Sequence, residues 1–203
     1  MKKLIITILI IISNSYFCFS QNDGCDCGGD ISRQGLFIGG GLGIGTLNLY
    51  NNSNVIYSND YLISPSIPNL KVGYFVNDKL IISLLQPGAV YKVNGSDRVA
   101  ESVQLNLQYW LNKNMWVASG LGVAFDIPAF YTVKDLKFKE FYAGFPSVSV
   151  STGYEIYRTK NYTIDLQYRF YYGNASIEGN NRKAISNMMI VGFNWYKSNK
   201  VSL

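Results

Sequence analysis

At 203 residues the chain is a single domain by length. Its formal charge of +5 falls to +3 once Lys2 and Lys3 are assigned to an exported leader (5 − 2), and that balance singles out no partner. No basic cluster has the pattern of a nucleic-acid footprint, so nucleic acid is set aside as a partner, and the absence of histidine excludes a Ser-His-Asp arrangement.

The first 20 residues read as a signal peptide: Lys2-Lys3, the apolar run Leu4–Ile12, and Cys18-Phe19-Ser20 as a small-x-small cleavage site before Gln21. That run is too short to span a membrane as a helix, and no later stretch reaches about 18 uncharged apolar residues. A lipid anchor on Cys18 is disfavoured by bulky Phe17. Residues 21–34 form a flexible leader containing Gly-Cys-Asp-Cys-Gly-Gly. A disulfide between Cys25 and Cys27 would close a small, strained ring, and two thiols alone make an incomplete metal site. Neither a metal nor a cofactor is expected.

From Gly35 the chain alternates. In Gly35–Leu49, Leu36, Ile38, Leu42 and Ile44 take one face, and Gly39, Gly41, Gly43 and Gly45 take the other. Glycine weakens a strand, so four on one face predict a close approach there. No helical pattern follows, which rules out a phosphate loop. Tyr50–Tyr61 reads as a polar loop. A second strand, Leu62–Val76, has its regular part after Pro65 and Pro68, with Leu70, Val72, Tyr74 and Val76 facing one way. Asn77-Asp78-Lys79 turns into a third strand bearing Leu80, Ile82 and Leu84, interrupted at Pro87-Gly88. A connection at Val93–Asp97 leads to Arg98–Leu111, where Val99, Val103, Leu105, Leu107, Tyr109 and Leu111 oppose Ala100, Ser102, Gln104, Asn106 and Gln108.

Asn112-Lys113-Asn114 is a second short turn, before Met115–Phe125 and a long loop at Asp126–Glu140. The sixth strand, Phe141–Tyr157, meets the seventh through Arg158-Thr159-Lys160. Tyr162–Tyr172 is the clearest strand: Tyr162, Ile164, Leu166, Tyr168, Phe170 and Tyr172 alternate with Thr163, Asp165, Gln167 and Arg169, and only Tyr171 breaks the rule. Its length suits the roughly 9–11 residues of a tilted membrane strand. Gly173–Lys183 reads as a long polar loop, and Ala184–Tyr196 is the eighth strand. Residues 197–203 form a tail. The expected fold is all-β, an eight-stranded antiparallel up-and-down transmembrane β-barrel over residues 35–196.

A soluble lipocalin-like carrier would show the same alternation with the apolar face inside. Three features favour the inverted arrangement. The polar face is rich in Gly, Ala and Ser, as a cramped eight-stranded interior requires. Tyr74, Tyr109, Tyr154, Tyr162 and Trp195 form one aromatic girdle, and Phe125, Phe170, Tyr171 and Tyr172 form another. Short turns gather at one end and long loops at the other.

With that pattern in place, and with its closing strand Val191-Gly192-Phe193-Asn194-Trp195, the chain resembles the small outer-membrane barrels of the OmpA membrane-domain and OmpX type across Gly35–Tyr196. Such barrels often end on a terminal aromatic, whereas Lys197–Leu203 follow here. The resemblance implies residence in the bacterial outer membrane, contact with its lipids and with the barrel-assembly machinery, and loops open to an extracellular ligand.

The inward face is expected to carry Lys71, Gln104, Asn106, Gln108, Glu155, Asp165, Gln167 and Arg169, joined by Phe37, Phe75 and Ile81. Buried charges must be compensated, so this set reads as a polar plug, with Lys71 serving Asp165 or Glu155. A three-residue turn would place Gly153 opposite Asp165 and Ser149 opposite Arg169. No carboxylate pair stands out by spacing as an acid–base couple. The functional expectation is a non-enzymatic barrel, structural or adhesive; the alternatives are a narrow pore, a secretion-accessory barrel or the soluble carrier.

Overall fold

The computed structural model describes residues 33–52, 54–58, 64–66, 69–93, 95–129, 141–159, 161–177 and 179–196. The expected signal peptide, Cys25 and Cys27 of the expected leader and residues 197–203 lie outside the described residues, as does most of the stretch expected to loop at Asp126–Glu140.

Eleven strand segments run β1 (Gly35–Asn51), β2 (Asn54–Ser58), β3 (Ser64–Ser66), β4 (Leu70–Asn77), β5 (Leu80–Gln86), β6 (Gly88–Val93), β7 (Ser96–Trp110), β8 (Met115–Pro128), β9 (Tyr142–Arg158), β10 (Tyr162–Ile177) and β11 (Asn180–Tyr196). They make eight staves: β5 and β6 are one stave broken at Pro87, and β2 and β3 are short additions to β1. The ring closes where β1 meets β11, antiparallel from Phe37↔Tyr196 to Asn51↔Arg182.

The three short turns have a local cause. The Asn77 Oδ1 accepts from the Lys79 amide at 2.9 Å, and the Asn112 Oδ1 accepts from the Asn114 and Met115 amides at 2.9 and 2.8 Å. The Thr159 Oγ1 accepts from the Tyr162 amide at 3.1 Å. Side chains that satisfy the backbone two or three residues on favour a tight reversal over a longer loop.

Pairing once around the wall, Leu49 reaches Ala184, Gly173, Ser147, Gly122, Gln104, Leu85, Lys71 and finally Gly39, ten residues below its start (49 − 39). Ten rises of about 3.3 Å against eight spacings of about 4.8 Å give a strand tilt of about 40°. Strands of 15–17 residues such as β7, β9, β10 and β11 then stand about 40 Å tall, more than the roughly 25 Å apolar band of an outer-membrane barrel. The wall therefore rises past the bilayer on the side away from the short turns.

The apolar face points out. Leu42, Ile44, Leu84, Leu105, Leu121, Val150, Leu166 and Val191 are exposed, as are Tyr74, Tyr109, Tyr154 and Trp195 toward the short-turn rim. Phe37, Phe75 and Ile81 are buried inside. This continuous greasy belt rules out the soluble carrier, which would bury it. Its upper limit is marked by outward polar residues, the Gln86 Nε2 donating to the Glu101 carboxylate at 3.1 Å. Inside, the glycine face of β1 meets β11: a Cβ on Gly43 would lie 2.5 Å from the Met189 carbonyl and 2.7 Å from the Ile190 side chain.

Three expectations are corrected. Gly173–Lys183 is not a loop, because β10 and β11 stay paired up to Ile177↔Asn180, and Gly179 supplies a positive φ at the hairpin tip. Likewise Val93 pairs with Ser96, so that connection is tight. Tyr171 belongs to the interior: its parity directs it inward, and a Cβ on Gly173 would lie 2.8 Å from its ring. The upper girdle is instead Phe125, Phe145, Phe170 and Tyr172 on adjoining staves.

Above the level of Gln86 the wall changes. There β6 pairs only with β7, while β2 and β3 pair only with β1, so no described backbone ladder joins the two edges. Side chains bridge this seam, with the Tyr57 and Tyr91 rings 5.4 Å apart.

Candidate functional site

All eight residues expected in the plug are buried inside the barrel: Lys71, Gln104, Asn106, Gln108, Glu155, Asp165, Gln167 and Arg169. They fall into groups at different heights.

At the short-turn rim, Glu155 is the hub. Arg33 Nη2 contacts its Oε2 at 3.0 Å, Arg158 Nε reaches the same oxygen at 2.8 Å, and Trp110 Nε1 donates to Oε1 at 2.7 Å. Both arginines also donate to the Lys113 carbonyl, and the Arg33 guanidinium stacks 4.7 Å over the Trp110 ring. Arg33 falls in the stretch expected as leader. Its side chain instead closes the lower mouth, a role that periodicity does not encode because Arg33 precedes the first alternating residue.

Asp165 is the hub of the middle. Gln167 Nε2 donates to its Oδ1 at 2.7 Å, while Asn194 Nδ2 and Trp116 Nε1 donate to Oδ2 at 3.0 and 3.2 Å. Arg169 does not touch this carboxylate. Its guanidinium donates to Asn69 Oδ1 and, at 3.3 Å, to Gln167 Oε1, so Gln167 links acid to base. Lys71 donates to Gln108 Oε1 at 3.4 Å and lies 4.7 Å over the Trp116 ring. The expected direct pairing of Lys71 with Asp165 or Glu155 is therefore absent; amides and ring faces hold the cation instead. Across the lumen, Gln104 Nε2 donates to Ser147 Oγ at 3.0 Å and accepts from Ser149, and Asn106 Nδ2 donates to Ser83 Oγ at 3.1 Å.

The expected register between β9 and β10 is also corrected. Asp165 faces Glu155, and Arg169 faces Ser151, because the turn pairs Arg158 with Thr163, three residues from the expected register, and a shift between Ile164 and Asp165 takes back one. A bulge inserts one unpaired residue and cannot be read from turn length alone.

Above the apolar belt a third hub is built on Asp126. Arg98 Nε and Arg182 Nη1 reach its two oxygens at 2.8 and 2.6 Å, and the Tyr91 hydroxyl donates to it at 2.8 Å. The Arg182 guanidinium also lies 4.1 Å over the Tyr142 ring. Burial first, then the Asp126 charge, pushes the Tyr91 hydroxyl up from its ordinary 10.0, so it remains a proton donor. Between this cap and the middle lies an apolar cluster of Leu47, Leu49, Ala89, Ala100, Tyr171, Ala184, Met188 and Ile190. Among the described residues no group of three or more His, Cys, Asp or Glu side chains is placed to hold a metal ion.

No protein-family model matches this sequence, and neither does any curated protein. Solved structures do match. The neisserial surface protein A shares 15% identity, with 80% of this chain and 97% of that one covered at a TM-score of 0.55. The outward apolar belt and that match together decide the fold. The fold is that of the small outer-membrane β-barrels. Ail, the attachment invasion locus protein of Yersinia pestis, aligns over 79% of this chain and 99% of its own at 15% identity and a TM-score of 0.44. OprG of Pseudomonas aeruginosa aligns over 82% and 98% at 14% identity and a TM-score of 0.40. The barrel is all-β and up-and-down, as its alternation predicted.

Proposed function

We propose that the protein is a non-enzymatic outer-membrane barrel, structural or adhesive, that acts through its surface and not through its lumen. One observation carries this reading: the three carboxylate hubs, the glutamines beside them and the apolar cluster beneath the cap fill the interior from the lower mouth to the cap with side chains. An eight-stranded interior has room for its own side chains and little else. Its partners are then outer-membrane lipids along the belt, the assembly machinery during insertion, and an extracellular ligand at the protruding hairpins.

Planar-bilayer recording on the folded wild type, with a heat-modifiability gel to establish closure, tests the reading. A barrel that shifts on the gel and shows no steady unitary current supports it. A steady current from the same preparation would replace it with the narrow pore or secretion-accessory barrel.

A further inference from the structure

The middle of the lumen holds two buried cations, Lys71 and Arg169, and one buried carboxylate, Asp165. Among the described residues neither cation has a carboxylate oxygen within 4.0 Å, whereas Arg33 and Arg158 pair with Glu155 and Arg98 and Arg182 with Asp126. This level of the barrel is embedded in the apolar belt, where an uncompensated charge is expensive. Arg169 is itself only 2% exposed, and its Nε–H finds no acceptor although both Nη atoms do.

A cavity adjoins it. Asn69, Pro87, Gly88, Tyr171, Ser186 and Met188 line it together with Arg169, and its volume is about 10 Å³. It lies at the foot of the seam, where Pro87 interrupts the stave. The Tyr171 hydroxyl donates elsewhere, to the Glu101 carbonyl at 3.1 Å, and does not fill it. The space is about that of one water-sized sphere. A sulfate, a phosphate or a carboxylate-bearing metabolite is too large, whereas a single-atom anion needs only a small expansion of the lining.

We propose that this cavity is a halide site: a chloride-sized anion seated against the Arg169 Nε–H and Ser186, offsetting the surplus positive charge shared with Lys71. One unpaired donor on a fully charged group, a lining with no carboxylate, and single-atom volume point to the same ligand class. The site goes beyond the closed-barrel reading and does not depend on it, since a blocked or a conducting lumen would hold the same ion.

The test uses the folded full barrel in detergent, with sodium bromide as the crystallographic probe and sodium chloride against sodium gluconate, at equal ionic strength, as the thermal probe. The expected result is a bromide anomalous peak beside Arg169 Nε and a saturable rise in Tm with chloride that gluconate does not produce. Arg169→Gln should lose that rise. Because Arg169→Gln can also fail to fold, Ser186→Val, which adds bulk on the inward face lining the cavity while retaining the arginine, serves as the second variant and should lose the rise too. Water alone in the cavity with bromide present, or equal Tm in chloride and gluconate for the wild type, overturns the proposal.

Discussion

The lower and upper halves of this barrel are closed by different means. Below Gln86 every stave is stitched to both neighbours by backbone ladders, and the lumen is filled with amides, carboxylates and cations. Above it the described ladders leave a seam between β6 and the β2/β3 edge, and the lumen behind that seam is an apolar cluster, from Leu47 and Leu49 to Met188 and Ile190, beneath the charged Asp126 cap. Where main-chain hydrogen bonds complete the cylinder in lipid, the interior can be polar because the wall excludes competing partners. Where the wall stands above lipid and is not fully stitched, apolar packing and the Tyr57–Tyr91 contact hold the edges together. Closure by directional bonds and closure by burial are interchangeable along one cylinder, but they fail differently.

The largest expected effect lies in the lower half. Asp165→Ala leaves the Trp116, Asn194 and Gln167 donors unmet and removes the carboxylate nearest Lys71 and Arg169. Unfolding in detergent should show a loss of about 3–5 kcal/mol, as for other broken buried charge networks. A loss under 1 kcal/mol would mean that water enters the lower lumen freely and that the two halves do not differ as described. Next comes the lipid face. Leu166→Arg, near mid-belt, should cost about 2–4 kcal/mol, while Ile185→Arg, near the upper limit on β11, should cost about 0–1. Equal costs at the two depths would erase the boundary that separates the halves.

A smaller effect is expected at the seam. Tyr57→Ala removes an aromatic contact worth about 0.5–1.5 kcal/mol and should speed amide exchange in β2 and β6 while leaving β5 protected. Uniform acceleration over all three segments would make the seam as tightly stitched as the rest. The smallest concerns pH. Because the Tyr91 hydroxyl is raised above its ordinary 10.0, its share of stability is intact below pH 10 and falls as pH climbs beyond it, the unfolded chain releasing that proton first. Tyr91→Phe should lessen the alkaline slope by up to about 1.4 kcal/mol per pH unit, read from unfolding curves between pH 9 and 11. An unchanged slope would show that the cap is open to solvent.

Much of this was legible in the residues. Period-two alternation gave the staves, the glycine face of β1 announced the approach of Ile190, and Pro87 marked the place where the ladder stops. All eight residues expected in the plug point inward because parity alone fixes the side they take. Their partners were not legible. Parity says nothing about height around a sheared ring, so it could not tell that Trp110 and Trp116 stand beside Glu155 and Asp165. The turn pairs Arg158 with Thr163 and a bulge then shifts β9 against β10 by one, so that Asp165 meets Glu155 and not Gly153. The Asp126 hub was missed for a simpler reason: Asp126 and Arg182 fall in stretches that polarity marks as loop, although they are strands standing clear of the membrane. Composition separates buried from wet, but not lipid-embedded strand from protruding strand.

The pairing of β1 with β11 also dictates the order of events by which the barrel comes into being. Leu42 meets Val191, so the contact that completes the ring joins residues 149 positions apart (191 − 42), and nothing nearer in the chain can substitute. Closure at such separation is slow, since the whole loop must be ordered before its last contact forms. Until the final strand docks, β1 offers a bare edge running from Phe37 to Asn51, and in lipid no solvent can satisfy it. The same geometry makes β11 the step at which assembly commits, so substitutions along Met189, Val191 and Phe193 should slow the kinetics of insertion more than they lower the stability of the finished barrel.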